Sequence, residues 1–150
     1  MDVRVQAEAF DLGQEATRFA AGLARSGAVV TFTGLVRDAG GSLHAMEIEH
    51  YPGMTETALA AMLAEAKHRF GLEDALVIHR FGRLAPQDPI MMVATAAPHR
   101  ADAFAAAEFL MDYLKSRAPF WKKELTSEGG AWVEARSADE AALSRWHIAD

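Results

Sequence analysis

Segments that favour helices and segments that favour strands follow one another irregularly along this chain, and several strand-type segments are neighbours in sequence. Apolar residues recur at helical spacing within residues 12–23 and 59–70, and an alanine-rich segment from about His99 to Arg117 predicts a third helix. A doubly wound parallel sheet needs a regular alternation of strands and helices, whereas adjacent strands favour antiparallel pairing. The sequence therefore predicts an α+β fold with a mostly antiparallel sheet and packed helices.

Capping residues and helix breakers delimit the predicted helices. Asp11 suits the N-cap of the first helix, which Gly27 is expected to end. Gly71 is expected to end the second helix. The third should stop before Pro119, because the residue preceding a proline disfavours helical geometry. Ser137 is expected to begin a short C-terminal helix.

The strand-type segments are defined by β-branched and apolar residues. The segment 28–36 is predicted to be a buried strand, and the turn-rich loop 37–42 leads from it into a strand at 43–50. Hairpin pairing of these two strands is expected. Further strands are predicted at residues 3–6, 75–81, 90–97, 120–125 and 131–135.

Composition limits the class of protein. The chain has 150 residues, about half of them apolar, without a linker or a membrane-length apolar run, so one domain over residues 1–150 is predicted, with 137–150 as a C-terminal tail. It contains no cysteine and begins without a signal-peptide pattern, which favours a cytoplasmic location. The net charge of -6 argues against general binding to nucleic acids.

Histidine and glutamate residues cluster between His44 and His50. In a strand, His44 and His50 would share one face, while Glu47 and Glu49 point to the other. Because the four side chains do not converge, no dedicated metal site is expected. His79 lies in an apolar segment and is expected to be a hydrogen-bonded core residue.

Positive charge is concentrated between Tyr113 and Lys123, where no acidic residue interrupts it. The four cations are Lys115, Arg117, Lys122 and Lys123. Phe120 and Trp121 lie among them, which predicts a partly dry, positive recess for an anionic small molecule, where a lysine could also act as an acid, base or nucleophile. The alternative is a solvated helix end whose cations interact with the helix dipole.

A second group of cations lies at the start of the third predicted helix. His99 and Arg100 would oppose the helix dipole there, so we expect them to meet an anion or an acidic partner. Arg37 follows a strand and carries less information, because an arginine before a glycine loop is often solvated. Arg100 and Lys115 lie about 22 Å apart on one helix, too far for one small ligand. Either they form separate sites or a symmetric dimer brings them together; we favour the dimer.

Five segments of unusual composition run through nearly the whole chain up to Arg136. They are FTGLVRD (residues 32–38), IEHYPGMTETAL (48–59), VIHRFGRL (77–84), PHRADAFAAAEFLMDYLKSRAPFWKKE (98–124) and WVEAR (132–136). In content and order they resemble segments of the large, catalytic subunit of molybdopterin synthase.

The resemblance implies a fold, a reaction and a partner. The fold would be an α/β hammerhead, and a homodimer would be flanked by two copies of a small ubiquitin-like sulfur carrier in a heterotetramer. The carrier would end in Gly-Gly with a C-terminal thiocarboxylate. The reaction would convert cyclic pyranopterin monophosphate (precursor Z) into molybdopterin by adding two sulfurs, with no resident cofactor or metal. The absence of cysteine fits this expectation, because the sulfur arrives on the partner.

The resemblance also assigns residues. Lys115 and Lys122 match the catalytic lysines of the family. The substrate-binding residues would be Leu35, Val36, Arg37, His99, Arg100, Lys115, Lys122, Lys123 and Glu124. The chain departs from the family at the short loop 38–42 and at Gln87, where many relatives have a glycine. A non-catalytic dimeric module that binds a phosphorylated ligand or an acidic peptide tail is the alternative function.

Overall fold

A computed structural model describes residues 1–134 and 137–146 of the chain. This part contains four α-helices, α1 Leu12–Ala21, α2 Met54–Phe70, α3 Arg100–Ser116 and α4 Ser137–Ser144. Its eight strands are β1 Asp2–Gln6, β2 Ala28–Leu35, β3 Leu43–His50, β4 Asp74–Arg80, β5 Gly82–Leu84, β6 Pro89–Ala97, β7 Phe120–Thr126 and β8 Gly129–Trp132. The predicted α+β class is confirmed; the short β5 was not predicted.

The first sheet has the strand order β1-β4-β6-β2. β1 and β4 are parallel, and the other pairs are antiparallel. Side chains alternate across β4, so that Leu76 and Ile78 pack with Phe19 of α1 on one face. Val77 on the other face belongs to the larger core, which includes Phe109 of α3 and the buried side of α2.

The second sheet is antiparallel and has the order β5-β3-β7-β8. Its β7–β8 pair confirms the predicted closing hairpin. The predicted hairpin of β2 with β3 is wrong, because β2 pairs with β6 while β3 pairs with β5 and β7. Val36 explains the difference: its N–H donates to Asp88 and its carbonyl accepts from Gln87, which holds the end of β2 in the first sheet.

The prediction that β2 is buried is also wrong. β2 is the edge strand of the first sheet, and Val29, Phe32 and Leu35 are 40%, 43% and 45% exposed. β-branched residues favour extended backbone on edge and central strands alike, so the composition of a strand does not fix its burial. Among residues 1–134 and 137–146, nothing covers this apolar edge.

Helix ends agree with the predictions except at α1. Asp11 Oδ1 accepts from the N–H of Gln14, which confirms the N-cap, but α1 ends at Ala21 and not at Gly27. The chain beyond α1 turns early because the Glu73 carboxylate accepts from the N–H groups of Ala24 and Arg25. Gly71 caps α2 with a φ of 64°, and α3 ends before Pro119 as predicted.

The C-terminal segment packs on its own subunit as far as it is described. The Trp146 ring makes edge contacts with Phe70 and Phe109, and its indole N–H donates to Asp112. These contacts anchor Trp146 on its own chain. The predicted strand residue Ala135 and the last matching residue Arg136 lie outside the described residues.

Gln87 occupies a backbone position that favours glycine. Its φ is +72°, in the left-handed region. The turn is closed by a hydrogen bond from the Asp88 N–H to the Ala85 carbonyl. Gln87 is therefore more strained in this turn than the glycine that many relatives have at the same position.

Two features bear on the class of protein, membrane-spanning helices and metal-binding clusters. No helix among the described residues is long and apolar enough to span a membrane. In the same ranges, no group of three or more His, Cys, Asp or Glu side chains is arranged to hold a metal ion.

Candidate active site at the end of α3

The end of α3 and the start of β7 place two lysines near each other. Lys115 is the penultimate residue of α3, and Lys122 is the third residue of β7. Pro119 prevents the helix from continuing, and its carbonyl accepts from the hydroxyl of Thr55 in α2. The chain therefore reverses within a few residues at a point that α2 holds in place.

A wide cavity of about 410 Å³ opens at this reversal. It lies between the end of α3, β7, the end of β8 and α4. Its lining residues are Leu114, Lys115, Ser116, Ala118, Pro119, Phe120, Trp121, Lys122, Trp132, Val133, Glu134 and Asp139. Apolar walls around two lysines match the partly dry recess predicted from the sequence, but the lining also contains two acidic residues, Glu134 and Asp139, so its positive charge is partly balanced.

A narrow cavity of about 70 Å³ reaches the same lysines from the side of β2 and β6. Its lining residues are Phe32, Gly34, Leu35, His79, Ile90, Met91, Met111, Leu114, Lys115 and Lys122. Lys115 and Lys122 thus line both cavities and form their junction. Two reactants that enter from different sides would meet at these ammonium groups.

Lys122 has an unusual protonation equilibrium. Burial and then the positive charge of Lys115 lower its pKa to about 8, and the Asp139 carboxylate opposes this shift. A lysine with such a pKa exchanges its proton readily near neutral pH while it still carries a charge. This property suits a group that stabilises or relays charge during a reaction.

His79 confirms the prediction of a hydrogen-bonded core residue and also lines the narrow cavity. It is 3% exposed, Nδ1 lies 2.8 Å from the Arg80 carbonyl oxygen, and its ring stacks on Phe120 at 3.7 Å with planes 15° apart. Burial is the main cause that lowers its pKa to about 3, and the charges of Lys122 and Lys115 add to it. No local sequence signal indicates this placement, because it depends on the packing of β4 against β7.

The first predicted substrate-binding segment is only partly at the site. Leu35 lines the narrow cavity. Val36 is fully buried in the core, and both of its backbone polar groups are hydrogen-bonded within the chain. Arg37 is exposed just beyond β2.

The last predicted segment is divided by the alternation of β7. Lys122 and Lys123 point to opposite faces, and the Lys123 ammonium lies 5.4 Å from the centroid of the Trp132 ring. Glu124 is exposed farther along the strand. Neither Lys123 nor Glu124 is among the described residues that line the two cavities.

The second predicted segment lies at the opposite end of α3. His99 is the N-cap residue and Arg100 begins the helix, and both are exposed. Arg100 and Lys115 are fifteen positions apart, about 22 Å along the helix, so one chain does not bring them to one small ligand. The separation predicted from the sequence therefore holds in the structure.

Comparison with known proteins places these features in a family. The sequence model described as "MoaE protein" matches residues 5–117. A molybdopterin synthase catalytic subunit from Cereibacter sphaeroides is 71% identical over 146 residues, which cover 97% of this chain and 100% of that protein.

Solved structures give the same result for the fold. A molybdopterin biosynthesis MoaE protein from Burkholderia ambifaria has a TM-score of 0.85 and 53% identity, with 99% of each chain covered. A complex of subunits 1 and 2 of the molybdopterin-converting factor from Helicobacter pylori contains a chain with a TM-score of 0.76 and 20% identity, covering 90% of this chain and 92% of that one. At that identity the second likeness concerns the fold alone.

Proposed function

Because this chain belongs to the MoaE family of molybdopterin synthase catalytic subunits, we propose that its two-lysine junction converts cyclic pyranopterin monophosphate into molybdopterin. The observation that carries this proposal is the position of Lys115 and Lys122 in the walls of both cavities. One cavity would admit the phosphorylated pterin, and the other the sulfur donor.

The sulfur donor would be a small partner protein with a thiocarboxylate at its C-terminal glycine. This chain has no cysteine and cannot itself carry a persulfide or a thiolate. The structure from Helicobacter pylori is described as a complex of two subunits, which supports a small-subunit partner for members of this fold. A chain without cysteine is also suited to the reducing cytoplasm, where we place the reaction.

The two lysines would act on charge that develops during transfer. The thiocarboxylate sulfur attacks an oxygen-bearing side-chain carbon of the pterin, and the C–O bond there breaks as the oxygen leaves as water or on the phosphate. Water then hydrolyses the resulting thioester, which leaves the sulfur on the pterin and releases the carrier as a carboxylate. Each step gathers negative charge beside a substrate that already carries a phosphate, and fixed cations in a partly dry site stabilise such charge strongly. We assign Lys115 to acid–base and electrostatic assistance at the thiocarboxylate, and Lys122 to the charge on the pterin.

The phosphate would be held by Arg37, His99 and Arg100. Arginine suits this role because its planar fork donates two parallel hydrogen bonds to phosphate oxygens. Since Arg100 and Lys115 of one chain are about 22 Å apart, the complete site requires a second copy of the chain. Lys123 and Glu124, which lie outside the cavities, would reach the substrate only at the edge of such a shared site.

We define the β2–α3 surface as Phe32, Leu35 and Phe104. All three side chains are more than 40% exposed, and α3 packs directly on β2. Exposed apolar side chains on an edge strand favour association with another chain. We propose that two copies associate here around a twofold axis, so that the start of one α3 approaches the end of the other.

Product formation tests the function. The protein is mixed with cyclic pyranopterin monophosphate and a thiocarboxylated carrier, and the dithiolene product is measured. A molybdopterin synthase forms the dithiolene only when both reactants are present. A non-catalytic module would bind the phosphorylated pterin without forming product, and that result would refute the proposal.

A further inference from the structure

The geometry at the narrow cavity points to a positioning role for His79: we propose that its neutral Nε2 accepts a hydrogen bond from the Lys122 ammonium and orients it toward the cavity junction. The part of this inference that concerns catalysis rests on the proposed function. The hydrogen bond itself is a property of the protein alone and is tested without any reactant.

The tautomer of His79 follows from its surroundings. Nδ1 lies 2.8 Å from the carbonyl oxygen of Arg80, and a carbonyl oxygen only accepts, so Nδ1 carries the hydrogen. In a neutral imidazole the other nitrogen, Nε2, is then an acceptor. Among the described residues Nε2 has no hydrogen-bond partner, although the ring as a whole is 3% exposed.

The ring is fixed in orientation. It stacks on Phe120 with centroids 3.7 Å apart, and Phe120 and Lys122 lie on the same face of β7. The stack therefore holds the imidazole beside the strand that carries Lys122, and both side chains line the narrow cavity. The proposed bond requires the long, flexible Lys122 side chain to turn its ammonium toward Nε2.

The charges around His79 keep it an acceptor. Lys122 of β7, Lys115 of α3 and His50 of β3 all disfavour a proton on its ring, and burial disfavours it more. On the other side of Lys122, Asp139 of α4 is the carboxylate that favours the ammonium. An ammonium donor and a neutral acceptor are the complementary pair in this arrangement.

Nitrogen-15 spectra of the wild-type protein test the hydrogen bond. We expect His79 to remain neutral down to pH 6, with Nδ1 protonated, and its Nε2 shift to change with an inflection at about pH 8, where Lys122 loses its proton. The inflection should be absent from Lys122→Met. A protonated His79 at pH 6, or an Nε2 shift that is flat from pH 7 to 9.5, would overturn the proposal.

Two substitutions give an independent test. His79→Phe keeps the stacking surface and removes the acceptor, so the pKa of Lys122, measured from the pH dependence of its acetylation, should fall by about one unit. His79→Gln keeps an acceptor and should restore most of that shift. In turnover, His79→Phe should lower kcat more than it raises KM, with partial rescue by Gln.

A matched control separates positioning from stability. Leu63→Ala removes a buried side chain of α2 and destabilises the fold away from the cavities. It should leave the pKa of Lys122 unchanged. If His79→Phe behaves like Leu63→Ala, His79 is only a structural residue. If the wild type forms no dithiolene while the acetylation shifts are as expected, the proposed function fails and the hydrogen bond stands.

Discussion

Lys115 and Lys122 come from different elements, a helix end and a strand start, and both line the same two cavities. Burial and the charge of Lys115 together bring the pKa of Lys122 to about 8. Two ammonium groups in a partly dry site repel each other, and the repulsion is relieved when an anion enters. The pocket therefore favours the binding of an anionic reactant.

The pH dependence of substrate capture should report Lys122. Below pH 8 the lysine is mostly charged, and above it the charge is lost, so kcat/KM should fall as the pH rises through about 8. In Lys122→Arg the charge persists, and the fall should move to higher pH. A wild-type kcat/KM that stays constant from pH 7 to 9.5 would show that the Lys122 charge is not needed.

Complementation should reveal whether two copies share one site. Lys115→Ala is expected to be nearly inactive, and so is Arg100→Ala at a substrate concentration far below its raised KM. If Lys115 of one copy works with Arg100 of the other, a mixed dimer regains one intact site out of two. Random mixing of the two variants should then restore about one quarter of the wild-type activity.

The separate variants supply the control for this experiment. Arg100→Ala alone should weaken substrate binding, because it removes a phosphate contact, and it should leave the fold intact. No recovery of activity after subunit exchange would place Lys115 and Arg100 in independent sites.

The β2–α3 surface should control association. Phe104 is 61% exposed on α3, and Phe104→Asp would place a charge in the contact between copies. We expect a shift from dimer to monomer in light scattering at micromolar concentration, with loss of activity. Met54 is equally exposed at 61% on α2, and Met54→Asp should leave the dimer intact. An active monomer would exclude the shared site.

Gln87 offers a test of backbone strain. Gln87→Gly removes the cost of a side chain at a φ of +72° and should stabilise the protein by up to about 1 kcal/mol, since part of the gain is offset by the entropy of glycine in the unfolded chain. Gln87→Ala keeps the strain and should give no gain. Urea denaturation measures both; equal stabilities for the two variants would show that this turn is not strained.

Most helices and strands, and the cluster of cations that contains Lys115 and Lys122, followed from local sequence, whereas the choice of these two lysines came from the family resemblance. The spacing of apolar residues located α2 and α3, and Pro119 located the reversal that brings Lys115 toward Lys122. These features depend on residues near in sequence, through caps, breakers and periodicity. The fifteen-residue separation of Arg100 from Lys115 followed in the same way from the geometry of one helix.

What the sequence did not predict depends on contacts between distant segments. The pairing of β2 with β6 is fixed partly by Val36 and Gln87, and the early end of α1 by Glu73, which lies 49 positions from Ala24. The place of His79 at the narrow cavity arises from two strands of different sheets. Local composition does not determine such contacts, so it gave a wrong partner for β2 and only a structural role for His79.

Single-turnover sulfur transfer tests the central claim most directly. The protein is mixed in excess with cyclic pyranopterin monophosphate and thiocarboxylated carrier, and the dithiolene is followed over time. We predict that the wild type forms the product, that Lys115→Ala slows transfer by about a hundredfold or more, and that Lys67→Ala, on the exposed side of α2, changes nothing. Near-normal transfer by Lys115→Ala would contradict the account.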